Sequence, residues 1–309
     1  VAEWELWNEP NSADAVKEYL PMLEAVYPKI KAVRPEAVVI SCGGGGAGGG
    51  PGGAMIVPIA KAGGIEFQDG FSIHPYMAPH DPDFGYRADG SPIPAVNIPV
   101  FSRHLINFIE KNRKADGSKL KLYITELGWP TEYESLRELP VSEAFQAAYF
   151  ARTYLLNRAG GDFPLYWYDF QNDGVDRMEK EHNFGLINLD YSPKPAYQAA
   201  ATFASLLGNK PFAKSIEEGT VKGNDFDRDA LKKGICKIYT YGNGDGTVIA
   251  LWSAVPGLRR YRIEFKLPFP YEEARLIDWQ GAELPMPKKL EGNRIEMDFA
   301  AWPKYIVKK

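Results

Sequence analysis

Apolar residues along the first two thirds of the chain follow two alternating rhythms. Short runs of strand character at Glu3–Trp7, Ala37–Cys42, Gly70–His74, Leu120–Thr125 and Pro164–Phe170 alternate with longer segments of helical spacing. From Ser12 to Arg34, Val16, Tyr19, Leu20, Leu23, Val26, Tyr27, Ile30 and Val33 recur on one helical face, and Pro35 ends the pattern. Phe101, Leu105, Phe108 and Ile109 share a face over Val100–Lys114. Ser142 reads as the N-cap of a helix running to Arg158, and Lys194–Leu207 reads as a helix closed by Gly208. This alternation predicts a parallel α/β domain with five strands.

After about residue 210 the rhythm changes. Cys236–Tyr241, Thr247–Trp252, Tyr261–Lys266, Ala274–Asp278, Ile295–Phe299 and Lys304–Val307 are strand-like and separated by turn residues. Gly242–Gly246 reads as a hairpin loop between the first two. The pattern predicts two domains: residues 1–209 as a partial (β/α) barrel and residues 210–309 as an antiparallel β-sandwich.

Composition narrows the function. A net charge of −4 gives no basic face for nucleic acid, and no run of about 18 apolar residues suggests a membrane span. Cys42 and Cys236 are too few for a disulfide framework, which leaves the compartment open. Aromatic residues make up 13% of the chain, enough to ask whether some rings face a ligand.

Two predicted strands end in a glutamate with distinctive neighbours: Trp7-Asn8-Glu9-Pro10 and Thr125-Glu126-Leu127-Gly128-Trp129-Pro130. In a parallel barrel all strands end at one rim, where active sites lie, so glutamates distant in sequence can converge there. Glycoside hydrolysis uses such a pair, one carboxyl protonating the leaving oxygen and the other attacking the anomeric carbon or activating water.

With these motifs the sequence resembles clan A of the glycoside hydrolases, the retaining (β/α)8-barrel enzymes. In that clan strand four ends in Asn-Glu-Pro with the acid/base, and strand seven ends in the nucleophilic glutamate. Asn8-Glu9-Pro10 and Ile124-Thr125-Glu126 match these positions, and two predicted strands lie between them, as the clan requires. Trp-Asn-Glu-Pro-Asn with a trailing β-unit is most similar to family 39 or a near neighbour. The resemblance implies that Glu9 is the acid/base and Glu126 the nucleophile, with no metal or cofactor. It implies that Asn8 contacts the sugar 2-hydroxyl and that Tyr76 holds the nucleophile. It also implies that His74 bonds sugar or backbone, and that Trp167 stacks under the sugar, although register leaves Tyr166 or Tyr168 as the inward ring. Trp7 and Trp129 are candidate subsite walls, and Asp169, Gln171, Asn172 and Asp173 are candidates for lining the cleft. The expected partner is an oligo- or polysaccharide.

Asn8 and Glu9 are adjacent, and a regular strand would aim them at opposite faces, so the strand must end or bulge there. Under this resemblance the chain holds only strands four to eight, and strands one to three belong to a missing amino-terminal segment or a separate chain. The alternative is a non-catalytic carbohydrate-binding protein or an inactive barrel fragment.

Other signals are set aside. Gly43, Gly45 and Gly48 spell G-x-G-x-x-G after a strand, the mark of an NAD-dependent oxidoreductase, but any glycine-dense tract contains it, and Pro51 and Pro58 suit no phosphate-facing helix. Asp225, Asp227 and Asp229 open like a calcium loop, but Ala230 and Cys236 stand where glycine and glutamate are needed. Trp252, Trp279 and Trp302 are expected in the β-unit core or against the barrel.

Overall fold

A computed structural model describes residues 2–10, 15–41, 43, 56–84, 97–131, 141–223, 227–243, 247–254 and 260–309. Cys42, most of the glycine tract, Ser12, Asp225 and the centre of the expected hairpin loop at Gly242–Gly246 lie outside the described residues, as does the side chain of Phe101. The residues group into two compact units. One comprises Val1–Met77, Val96–Gly128 and Gly160–Tyr168, the other Ala78–Ala95, Trp129–Ala159 and Asp169–Lys309.

The first unit is built on a parallel sheet of five strands: β1 (Glu3–Leu6), β2 (Val38–Ser41), β3 (Gly70–Ile73), β4 (Lys121–Leu127) and β5 (Leu165–Trp167), in that spatial order. Helices α1 (Ala15–Val33), α2 (Ile56–Lys61) and α3 (Ile98–Lys111) connect them. On α1, Tyr19 and Leu23 bury against Ile59 of α2, with Leu6 and Phe67 packed beside them. The Tyr19 hydroxyl donates to the Leu6 carbonyl at 2.6 Å, which ties the end of β1 to the helix. Asn97 caps α3 by accepting the Val100 amide at 3.0 Å, so this helix starts two residues earlier than its apolar face suggests. Burial opposes ionisation of Asp69, but the Val39 amide, Lys31 and Tyr27 outweigh it and hold this carboxyl below the usual range.

The second unit contains α4 (Glu143–Gly160), α5 (Pro195–Leu207) and two antiparallel sheets. Its strands are β6 (Phe212–Ser215), β7 (Thr220–Lys222), β8 (Cys236–Tyr241), β9 (Val248–Ser253), β10 (Tyr261–Lys266), β11 (Ala274–Ile277), β12 (Glu283–Leu284), β13 (Lys289–Leu290), β14 (Arg294–Phe299) and β15 (Lys304–Lys308). One sheet runs β13-β14-β10-β7, the other β12-β11-β15-β9-β8-β6. Ile263, Phe265 and Phe299 from the first share a core with Ile238, Leu251 and Ile306 from the second. Ser142 caps α4 through the Phe145 amide, and Gly208 closes α5, as their positions predict. Trp252 is buried and its indole donates to Asp83 at 2.9 Å; Trp302 donates to the Ala144 carbonyl at 2.8 Å; Trp279 is half-buried.

Candidate active site

The two glutamates lie at the ends of β1 and β4, and local backbone geometry brings their neighbours to one face. β1 stops at Leu6. Trp7 and Glu9 then take left-handed conformations, φ 74° and 45°, which side-chain-bearing residues adopt at a cost of about 1–3 kcal/mol. The strand has thus ended before Asn8 and Glu9, which removes the parity conflict. On β4 the register against β5 shifts between Ile124 and Leu127: three steps on one strand oppose two on the other. The extra residue lets Thr125 and Glu126, though adjacent, both approach His74.

His74 follows β3 and is 1% exposed. Its Nδ1 lies 2.7 Å from Glu9 Oε1 and 3.5 Å from Glu126 Oε2, and its Nε2 lies 2.9 Å from Thr125 Oγ1. Its partners in this structure are side chains, not the backbone. Both ring nitrogens face protein side chains, and burial removes the ring from solvent. The Tyr76 hydroxyl donates to Glu126 Oε2 at 2.9 Å, and the Tyr168 ring meets Tyr76 edge-on at 6.2 Å. Glu9 and Glu126 each keep partial exposure, 35% and 25% of the side chain.

Among the described residues, Glu9, His74 and Glu126 form a group of possible metal ligands, one atom from each lying within 4.8 Å of the others. In this structure hydrogen bonds to His74 and Tyr76 already engage that group.

The remaining candidates divide. Asn8 is exposed between Trp7 and Glu9, and Trp7 is exposed beside it. Trp167 is half-buried on β5, paired with Leu127, while Tyr166 is exposed. Trp129 is no subsite wall. It is 0% exposed, its indole donates to the His80 carbonyl at 2.8 Å, and its ring packs on Tyr149. Of the expected cleft-lining residues, Gln171 bonds the Leu189 carbonyl and Asn172 accepts the Gly185 amide, so both hold their own loop. Gly43 donates to Ser72 Oγ at 2.6 Å, and a Cβ there would overlap the Ser72 carbonyl. The first glycine of the dinucleotide-like pattern thus serves close approach of β2 to β3. Asp227 caps a turn at the Asp229 amide and bonds Lys233 at 2.7 Å.

Thr125, Glu5 and Ser72 escaped the sequence reading as functional residues. Their signal lay in the alternation of β1, where Glu3 and Glu5 put carboxylates on one sheet face. The partners of these carboxylates are Tyr123, which donates to Glu3 at 2.9 Å, and the hydroxyls of Thr125 and Ser72, which donate to Glu5.

A parallel sheet with two glutamates at its strand ends is the arrangement that the resemblance to the clan A glycoside hydrolases implies. No family model matches the chain, and no curated protein does. Among solved structures, a family 39 glycoside hydrolase from the gut symbiont Bacteroides cellulosilyticus WH2 is 44% identical with TM-score 0.82, over 100% of this chain and 58% of that protein. The chain belongs to family 39 of the glycoside hydrolases. It spans under two thirds of the length of that relative. Two more distant structures share the fold. The thermostable family 51 α-L-arabinofuranosidase from Thermotoga petrophila RKU-1 has TM-score 0.62 at 12% identity, over 99% of this chain and 66% of that one. The family 39 enzyme from Xanthomonas axonopodis pv. citri has TM-score 0.51 at 16% identity, over 98% and 67%.

Proposed function

We propose that this protein hydrolyses β-glycosidic bonds of an oligo- or polysaccharide with retention of configuration. The observation that carries the reading is the approach of the two carboxylates: one oxygen of Glu9 and one of Glu126 lie within 4.8 Å of each other. That approach lets both carboxyls reach one glycosidic bond; retention comes from the family resemblance, in which the two carboxyl groups stand about 5–5.5 Å apart, against about 6.5–9.5 Å where inversion must admit a water. Glu126 attacks the anomeric carbon while Glu9 gives its proton to the leaving oxygen, and a glycosyl ester forms on Glu126. Glu9 then takes a proton from water, which opens the ester and restores both groups. Tyr76 orients the nucleophile, Asn8 meets the sugar beside it, and Trp167 offers a ring face on β5. Under this reading β1 to β5 are strands four to eight of the clan's barrel. The outer strands β1 and β5 are then the edges against which three further strand units pair, from a longer chain or a separate one.

The test uses a panel of 4-nitrophenyl β-glycosides and β-linked disaccharides, with proton NMR of the first-formed product. Retained anomeric configuration is expected, and an inverted product overturns the mechanism. Glu126→Ala abolishes turnover, whereas Glu9→Ala lowers kcat on poor leaving groups by about 10²–10⁴-fold and is rescued by azide on activated aryl glycosides. Sugar binding without turnover on any member of the panel points instead to a non-catalytic carbohydrate-binding protein.

A further inference from the structure

A chain of hydrogen bonds crosses one face of the parallel sheet, from a carboxylate in the middle of β1 to the proposed acid/base. Glu5 Oε1 accepts the Thr125 hydroxyl at 3.0 Å and a second hydroxyl from Ser72. Thr125 Oγ1 also lies 2.9 Å from His74 Nε2, and His74 Nδ1 lies 2.7 Å from Glu9 Oε1. Among the described residues, Glu126 also faces the ring, its Oε2 3.5 Å from Nδ1, and Tyr76 donates to that same oxygen.

For a neutral His74 ring beside an ionised Glu5, counting protons gives this chain a direction. A threonine hydroxyl has one proton, and an ionised carboxylate only accepts. Thr125 spends its proton on Glu5 and turns lone pairs toward the ring, so His74 Nε2 is the donor in that contact. In a neutral imidazole the other nitrogen is then an acceptor. With the ring neutral, Nδ1 faces Glu9 with a lone pair and the Glu9 carboxyl supplies the proton of that 2.7 Å bridge; with the ring protonated, Nδ1–H would supply it instead. An ionised Glu9 would set a carboxylate oxygen against that lone pair, which is repulsive.

We propose that Glu5 is a positioning residue for Glu9: acting through Thr125, it fixes His74 as the Nε2–H tautomer and keeps Nδ1 ready to hold the Glu9 proton. The catalytic consequence rests on the hydrolase reading above. The bridge retains the acid proton in the resting site until a glycosidic oxygen competes for it. Glu9 loses that proton as the leaving oxygen takes it together with the electrons of the broken C–O bond, and recovers one from the water of the second step. Glu5 is exposed in this structure, and the buried Ser72 hydroxyl keeps the Ser41 carbonyl at 3.1 Å as an acceptor when Glu5 is replaced.

Long-range ¹H–¹⁵N NMR of the intact chain, at a pH where the His74 ring is neutral, reads the tautomer without any substrate. The wild type is expected to show Nε2–H alone. Glu5→Gln retains a carbonyl acceptor for Thr125 and keeps Nε2–H. Glu5→Lys offers only donors, turns the Thr125 proton toward the ring, and shifts His74 to Nδ1–H. An Nδ1–H wild type, or an unchanged ring in Glu5→Lys, overturns the proposal. With a β-linked disaccharide, Glu5→Lys is expected to lower kcat about tenfold or more with KM within about twofold. The loss should be smaller on 4-nitrophenyl glycosides, which need little protonation. Equal losses on both substrates, or a rise in KM alone, count against a role through Glu9. The expected tautomers without turnover of any glycoside uphold the Glu5 relay and defeat the hydrolase reading. Turnover with an unmoved tautomer does the reverse.

Discussion

Asp169, two residues past β5, shows how one side chain's surroundings set a pH dependence. Burial, then the charge of Asp173 and that of Glu181, push its carboxyl up to about 6 against the opposing pull of Lys194. Between the unfolded value of about 3.9 and this folded value, the native state holds a proton that the unfolded chain has released. Its contribution to stability is full below the unfolded value and is lost as pH rises through about 6. Asp169→Asn removes that loss. It is expected to stabilise by about 1–2 kcal/mol at pH 7, after allowance for partial exposure, and by nearly nothing at pH 4. Urea denaturation at the two pH values measures this, and an equal effect at both would show that the carboxyl's charge is not the cause. The same scale explains why Trp129 misled the sequence reading. A tryptophan beside a strand-end glutamate looks like a sugar platform, but only the fold reveals that its indole reaches the His80 carbonyl and its ring packs under α4.

At the scale of elements, β3 must approach β2 closely for His74 to reach both Glu9 and Thr125, and Gly43 permits that approach. Gly43→Ala is expected to destabilise by about 1–3 kcal/mol, as overpacking does, and to lower turnover beyond what the lost stability accounts for. A variant as stable and active as the wild type would remove Gly43 from this role. The elements legible in the sequence were the helices of regular apolar spacing, the continuous apolar runs such as β2 and β9, and the strands that alternate against a core. β10 and β14 alternate buried and less buried positions residue by residue, and β10 falls on its predicted bounds while β14 begins one residue early. β6, β7, β12 and β13 are as short as β1 to β3 or shorter, but mix one or two apolar residues with Lys or Glu, so they carry too little pattern to read. α2 escaped because Pro58 lies inside it beside a glycine tract, although its Ile56 and Ile59 are buried. The two glutamates were legible from their motifs. The devices that aim them, the left-handed turn at Trp7 and Glu9 and the register shift on β4, arise from tertiary pairing, which local sequence does not encode.

At the scale of the molecule, the second compact unit encloses a cluster of charges that joins segments far apart in the chain. The Arg152 guanidinium, fully buried on α4, bonds Asp83 at 2.7 Å and Asp81 at 2.8 Å, while Lys237 of β8 reaches Asp83 at 2.8 Å and the Trp252 indole of β9 donates to the same carboxylate. Two cations balance two carboxylates, so the cluster survives without water only while all four are present. Burial raises the Asp83 carboxyl, but Arg152 and then Lys237 outweigh it and hold it below the usual carboxylate range. Arg152→Leu would leave Asp81 and Asp83 buried with too little positive charge, and is expected to cost about 3–5 kcal/mol at pH 7. The stabilisation from a depressed carboxyl is complete above the unfolded value of about 3.9 and disappears as pH falls through the folded one. The gap between wild type and Arg152→Leu should therefore narrow below about pH 4, because protonation neutralises the orphaned carboxylates in the variant and strips the wild type of its ion pairs. Chemical denaturation at pH 7 and at pH 3 separates this from simple loss of packing, since a cavity left by the shorter side chain would cost the same at both.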